Sequence, residues 1–139
     1  MKDIYKKKLT TVDSVLEHIK SNYNIISALG ASEPQGVLSR LHEIKDRVEN
    51  VSICTCLPML PYDWFTNPEM KGHFFHEAWF YAPAIRRAHN EAGTCSFIPN
   101  HLHAAGTDRI QYQRPNIFIG TRTPPDRFGY VSLSLGVTY

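Results

Sequence analysis

No stretch of this chain approaches the ~18 uninterrupted apolar residues of a membrane-crossing helix. The lysine-rich start, residues 1–10, is not followed by the apolar core of a secretory leader. The chain is therefore expected to be soluble and cytoplasmic, with no membrane partner. Cysteine is scarce. Cys54, Cys56 and Cys95 are odd in number, which argues against a disulfide framework, and the spacing of Cys54 and Cys56 on a probable strand is read as turning them to opposite faces. Charge of one sign is also lacking: fifteen Lys and Arg against thirteen Asp and Glu leave a net +2. That is far below the excess that makes nucleic acid the expected partner, and hints only weakly at anionic ligands. Internal repeats, Gly/Ser linkers and charge blocks are missing, as are a dinucleotide glycine fingerprint and a P-loop.

What is present is material for a core. Hydrophobic residues make up 42% of the 139, with seven Phe, seven Tyr and two Trp, enough for one domain that buries roughly two thirds of its unfolded surface. No staple or metal is needed for folding. Thr10 or Thr11 can cap a helix through Val12, Val15, Leu16 and Ile19, whose spacing lays an apolar stripe along one face. Residues 23–29 read as a buried strand closed by Gly30. A second helix follows Pro34, with Val37, Leu38, Leu41, Ile44 and Val48 inward. Residues 50–56 read as a strand, 57–67 as a proline-broken loop with one short turn, and 73–81 as an aromatic strand. A helix over 83–90 closed by Gly93, a strand over 94–98, a helix over about 99–108, a strand over 115–120, a loop over 121–128 and a last strand over 130–137 complete the chain. Alternating short strands and helices predict an α/β fold, a mostly parallel sheet flanked by helices.

The sequence stops at Tyr139, directly after that last apolar strand. A central parallel strand needs both faces covered, so the polypeptide is expected to be a fragment or the first part of a larger fold. The alternative is an edge or antiparallel final strand.

Three places could carry chemistry. Gly30, Ala31, Ser32, Glu33 and Pro34 form a turn between a strand and a helix, where parallel sheets bind ligands and where helix-start N–H groups can hold an anion; a plain strand-to-helix turn would look the same. Pro124, Pro125, Asp126 and Gly129 define a rigid loop, with Asp126 able to accept from nearby N–H groups and Gly129 able to take a positive φ. Four histidines form the third set, but His73 and His76 diverge on a strand and His101 and His103 diverge on a helix, so metal-ligand spacing is not supported. The cysteines lie in apolar strands, where a thiolate is disfavoured. Capping or turn roles account for Glu33 and Asp126 without any reaction.

Taken together, several segments resemble one family. The run Ile26-Ser27-Ala28-Leu29-Gly30-Ala31-Ser32-Glu33-Pro34, the segment Met70-Lys71-Gly72-His73-Phe74-Phe75-His76, residues 86–90, and the Pro-x-Asp-x-x-Gly-Tyr-x-Ser-x-x-x-Gly pattern of residues 124–136 occur in the order found in the amino-terminal domain of the acetyl-CoA hydrolase/transferase family. The sequence is most similar to its butyryl-CoA:acetate and 4-hydroxybutyrate CoA-transferase branch. The resemblance implies an enzyme of two α/β domains that exchanges CoA between a thioester and a free carboxylate, with a glutamate nucleophile passing through a mixed anhydride to a glutamyl-CoA thioester.

That nucleophile and most of the CoA site belong to the family's carboxyl-terminal domain, and no carboxylate here matches the nucleophile's motif. The chain alone is therefore expected to have no catalytic residue and no turnover. It is expected to supply one wall of the cleft: Gly30, Ala31, Ser32, Glu33 and Pro34, with Pro124, Asp126 and Gly129, and His73 and His76 as further contributors. No covalently bound cofactor is implied; coenzyme A enters as substrate. The expected partners are an acyl-CoA, a short carboxylic acid, the carboxyl-terminal domain of the same enzyme and further copies in a homo-oligomer. Competing readings are an acyl-CoA hydrolase, in which water resolves the intermediate, a non-catalytic binding or assembly module, and a metal-dependent hydrolase, which the histidine geometry disfavours.

Overall fold

Runs of isoleucine, valine and aromatic residues build the centre of the molecule. In the computed structural model, which describes residues 2–133, 135 and 136, these runs form β1 (Asn24–Ser27), β2 (Val51–Thr55), β3 (Phe74–Ala78), β4 (Cys95–Phe97) and β5 (Ile117–Ile119). They make one sheet in the order β4-β3-β2-β1-β5, and every pairing is parallel. The expected α/β architecture is what the chain adopts. Around the sheet lie α1 (Lys2–Lys8), α2 (Val12–Glu17), α3 (Gln35–Leu38), α4 (Asp63–Thr66), α5 (Pro83–Arg87) and α6 (Ala105–Asp108). None of the helices among the described residues is long and apolar enough to cross a membrane.

The two sheet faces are covered unequally. Ile25, Ile53, His76 and Cys95 stand in line across four strands and meet Trp64 and Phe65 of α4, Ile85 of α5 and Leu38 and Leu41 in the main core. On the other face Ile26, Cys54 and Trp79 pack against Ala105 of α6. That layer stops short of β5, where Phe118 stays 58% exposed. Truncating a side chain such as Trp64, which is fully buried, would cost about 3–5 kcal/mol.

Thr11 caps α2 through its hydroxyl, which accepts from the Ser14 N–H at 3.2 Å. At the far end of that helix Arg47 donates to the carbonyls of Leu16 (2.6 Å) and Ile19 (2.8 Å), groups a helix terminus leaves open. The predicted single helix after Pro34 is instead α3 followed by a 3-10 helix, Leu41–Arg47. Leu38, Leu41 and Ile44 recur every three residues, a spacing that three residues per turn stacks on one face. The helix predicted over about 99–108 lies further along, as a 3-10 turn (Leu102–Ala104), α6 and a π turn (Arg109–Gln113). It is anchored there by Glu77, whose Oε2 takes an ion pair from Arg109 and a hydrogen bond from Gln113, both at 2.7 Å.

Three further expectations are corrected. Cys54 and Cys56 share a face and a cluster, because residues two apart on extended backbone return to the same side. The rings of His101 and His103 do not diverge but stack at 5.5 Å, since His101 is still extended where it precedes the 3-10 turn. No strand forms over the described residues of 130–137; Ser134 and Val137 lie outside them. This segment folds back on its own loop, with the Thr123 N–H donating to the Ser132 carbonyl and the Asp126 N–H to the Tyr130 carbonyl, both at 2.9 Å. Its apolar side chains Tyr130, Val131, Leu133 and Leu135 stay exposed, so the alternating pattern has no sheet edge to join.

Candidate functional site at the carboxyl edge of the sheet

Chain order and strand order together single out one crevice. From β1 the chain steps outward to β2, β3 and β4, then crosses back to place β5 on the other side of β1. The loops leaving β1 and β5 are thus neighbours at the carboxyl edge though far apart in sequence, and in parallel sheets ligands bind beyond the carboxyl ends of the strands. A crevice of about 510 Å3 lies there, lined by Glu33, Pro34 and Gln35 after β1, by Gly120, Thr121 and Arg122 after β5, and by Tyr5 of α1, Val12 of α2 and Leu9 between them, among others.

The first predicted motif forms one side of it. Gly30, with φ +48°, starts a 3-10 turn, Gly30–Ser32. The N–H groups of Ser32, Glu33 and Gln35 are spent on carbonyls within the turn, and α3 is only four residues long, so this segment offers an anion little backbone. Its distinctive group is Glu33. The residue is 7% exposed, and its Oε2 accepts the Met59 N–H at 2.9 Å. Its Oε1 is buried with no hydrogen-bond partner, and burial holds the carboxyl above the usual carboxylate range, opposed only in part by the Met59 N–H.

The second predicted motif closes the same region. Asp126 Oδ1 accepts the N–H groups of Phe128 (2.8 Å) and Tyr130 (2.9 Å), and Gly129 takes φ +92°. The loop is tied to the first turn at two points. The Thr121 hydroxyl donates to the Ser32 carbonyl at 2.7 Å, and Gly136 packs so closely on Ser32 that a Cβ there would sit 2.7 Å from its hydroxyl. Pro124 lines the crevice, while Gly129 lines a neighbouring hollow with Lys8 and Arg122.

The two histidines lie elsewhere. His73 precedes β3, at the opposite edge of the sheet, with Nδ1 2.9 Å from the Val48 carbonyl. His76 is sealed in the core between Trp64 and Phe65, and its Nε2 is 2.7 Å from Thr55 Oγ1. Desolvation pushes its pKa down to about 3. Burial likewise pushes the thiols of Cys54 and Cys95 up to about 12 and about 11, which leaves them protonated. Among the described residues, no group of three or more His, Cys, Asp or Glu could hold a metal ion.

Two parts of this edge were not singled out in the sequence. Thr121 and Arg122 directly follow β5; Arg122 lies 5.3 Å over the Tyr5 ring and donates to the Thr123 carbonyl at 3.1 Å. Strand order would have pointed to them, but it is not written in local sequence. An apolar cleft of about 230 Å3, lined by Leu29, Cys56, Leu57, Trp79, Phe80 and Leu102 among others, opens between the loops after β1, β2, β3 and β4. Leu57 there holds φ +58°, a conformation that costs a non-glycine residue about 1–3 kcal/mol.

The whole sequence, residues 1–139, fits the family described as acetyl-CoA hydrolase/transferase N-terminal domain. A 4-hydroxybutyrate coenzyme A transferase of Clostridium kluyveri is 26% identical over 147 aligned residues, covering 99% of this chain and 32% of that protein. The crystal structure of RipA from Yersinia pestis superposes with a TM-score of 0.81 at 22% identity, over 97% of this chain and 33% of that one. A single-site RipA variant reaches 0.87 at 21% identity, over 98% of this chain and 33% of its own. The likeness to RipA establishes the fold, and the chain spans about a third of the length of these relatives. With a match that runs from Met1 to Tyr139, the chain belongs to the acetyl-CoA hydrolase/transferase family, as its N-terminal domain.

Proposed function

We propose that this chain is the amino-terminal part of a cytoplasmic, homo-oligomeric CoA-transferase that exchanges CoA between a short-chain acyl-CoA, such as butyryl- or 4-hydroxybutyryl-CoA, and acetate. The observation that carries this reading is the meeting of the turn at Glu33 with the loop after β5 at the carboxyl edge of the sheet. A family domain with its distinctive loops gathered on one open edge is suited to form one wall of a cleft. The other wall, with the nucleophilic glutamate, would come from the carboxyl-terminal domain.

The carboxylates at this edge support that division of labour. Glu33 binds the loop after β2 and is held toward its neutral form by burial, which makes it a poor nucleophile. Asp126 is occupied by two N–H groups of its own loop. In the proposed sequence the external glutamate attacks the thioester carbonyl and the C–S bond breaks, leaving a mixed anhydride and CoA thiolate. The thiolate attacks the glutamyl carbonyl, which releases the first acid and leaves an enzyme thioester. Acetate then attacks the glutamyl carbonyl, the C–S bond breaks to leave an acetyl-glutamyl anhydride and CoA thiolate, and the thiolate attacks the acetyl carbonyl to give acetyl-CoA and free the glutamate. Binding energy from the remote CoA moiety can be used to lower these barriers.

The test is acyl exchange from butyryl-CoA to labelled acetate, run on this chain and on the longest polypeptide its gene encodes. Labelled acetyl-CoA from the longer polypeptide only is the expected result. Turnover by the 139 residues alone would place a nucleophile within them. Release of butyrate without labelled acetyl-CoA would replace transfer by hydrolysis, and silence from both would remove the enzymatic reading.

A further inference from the structure

We infer that the apolar cleft between the loops after β1, β2, β3 and β4 seats the hydrocarbon tail of the acyl group, and that it favours butyryl and hexanoyl groups over acetyl and 4-hydroxybutyryl. This rests on the transferase reading and names the acyl substrate that reading leaves open.

The cleft is built from its floor upward. Cys56 directly after β2, Trp79 directly after β3 and Ala105 of α6 are buried and form the base, while Leu57, Phe80 and Leu102 stand exposed around the mouth. The floor is fixed before any ligand arrives. The Arg109 guanidinium lies 4.9 Å from the centre of the Trp79 ring and is itself held by its ion pair with Glu77 at 2.7 Å. The wall after β2 is tied to the turn after β1 at two points: the Gly30 N–H donates to the Cys56 carbonyl at 3.4 Å, and the Met59 N–H donates to Glu33 Oε2 at 2.9 Å. Between those ties Leu57 is held at φ +58°, a conformation that persists in a non-glycine residue only where its surroundings enforce it, and such positions cluster at ligand sites. The cleft therefore opens on the carboxyl edge of the sheet, beside the Glu33 turn.

The lining selects the ligand. Among the described residues that line the cleft there is no Asp, Glu, Lys or Arg, so a carboxylate or the phosphates of CoA would find no counter-charge in it. A hydrocarbon chain gains about fourfold in affinity for each methylene taken out of water. At about 30 Å3 for each water-sized group, a volume of about 230 Å3 holds roughly seven of them. Acetyl leaves most of that space unfilled, whereas butyryl and hexanoyl tails occupy it progressively. The polar side chains Asn100 and His101 are exposed, at the rim. A hydroxyl at the far end of the chain would reach the floor instead, and there exchange water for a thiol, an indole and a methyl group. An apolar pocket rejects such a hydroxyl by on the order of tenfold or more.

The experiment uses the longest polypeptide the gene encodes and takes two readings with acetyl-, butyryl-, hexanoyl-, octanoyl- and 4-hydroxybutyryl-CoA: calorimetric affinity, and kcat/KM for exchange with labelled acetate. Both should rise about fourfold per methylene from acetyl to hexanoyl and then level off, with 4-hydroxybutyryl-CoA about tenfold below butyryl-CoA. Ala105→Leu, which fills the floor, should lower the hexanoyl-to-acetyl ratio about tenfold, the equivalent of two methylenes. Leu102→Asn alters only the exposed mouth, so it guards against a folding defect in the first variant, and it should flatten the rise with chain length. A flat chain-length profile, equal use of butyryl- and 4-hydroxybutyryl-CoA, or an unaltered ratio in both variants would each overturn the inference. Free hexanoate binding as tightly as hexanoyl-CoA would assign the cleft to a fatty acid and also overturn it. Exchange with a flat profile would sink the cleft assignment alone; chain-dependent binding without exchange would sink the transferase reading and leave the cleft assignment standing.

Discussion

His76 shows how one buried side chain can govern the acid side of stability. It is fully buried, lies 4.8 Å from Phe65 and 5.1 Å from Trp64 between ring centroids, and is pushed from an ordinary 6.5 down to about 3 by desolvation. A histidine that is neutral when folded and protonated when unfolded draws the chain toward the unfolded state as pH falls below about 6.5, and the loss continues down to about 3. Each pH step of one between those two values removes about 1.4 kcal/mol, so the whole loss amounts to several kcal/mol. Glu33 has the opposite sign. Its folded value is raised, so its contribution is complete at low pH and is lost as pH rises through that value. Urea unfolding measured from about pH 4 to about pH 8 should therefore show stability falling on the acid side through His76, with Glu33 opposing part of that fall. His76→Gln should flatten that acid limb, and Glu33→Gln, which removes the opposing contribution, should steepen it. An unchanged acid limb in His76→Gln would remove His76 from this account.

Among the elements, the loop of residues 123–132 is held by very local bonds, and this makes its behaviour separable from that of the sheet. Asp126 Oδ1 accepts two N–H groups and its own N–H pairs with the Tyr130 carbonyl. Asp126→Ala should remove about 1 kcal/mol per lost bond and speed hydrogen exchange at Phe128 and Tyr130, while amides of β2 exchange as before; coincident acceleration in β2 would show that the loop supports the sheet. The sequence made this loop legible because Asp126 and Gly129 act on neighbours within four residues. It also showed β1 to β5, whose short runs of isoleucine, valine and aromatic residues carry their own signal. It did not distinguish one helix from α3 plus a 3-10 helix, because over Leu38, Leu41 and Ile44 both periods place the same residues inward. It misled at residues 130–133, where an alternating pattern carries no information about whether a sheet edge is available. The crevice was half legible: Glu33 and Pro124 stood in recognisable motifs, but Arg122 gains its meaning from strand order, and Arg109 meets Glu77 across 32 residues of sequence.

For the molecule as a whole, the distribution of apolar surface matters more than its amount. The edge formed by the loops after β2, β3 and β4 presents Leu57, Met59, Leu60, Phe80 and Leu102 to solvent, and Leu57, Phe80 and Leu102 border one cleft. Exposed apolar side chains clustered in this way mark surfaces that bury themselves against another surface. Electrostatic repulsion offers little resistance, because the net charge is only +2. The chain should therefore self-associate as its concentration rises. The driving force distinguishes the cause: association through apolar surface strengthens with added sulfate, whereas association through ion pairs weakens as salt screens it. Sedimentation equilibrium over a range of chain concentrations, with and without sulfate, should show average mass increasing in both series and more steeply with the salt. Leu57→Lys combined with Leu102→Lys should return the chain to monomer without disturbing the main core, since both side chains are exposed and neither belongs to it. A monomer at every concentration, or association that sulfate dissolves, would show that this edge does not drive assembly of the isolated chain.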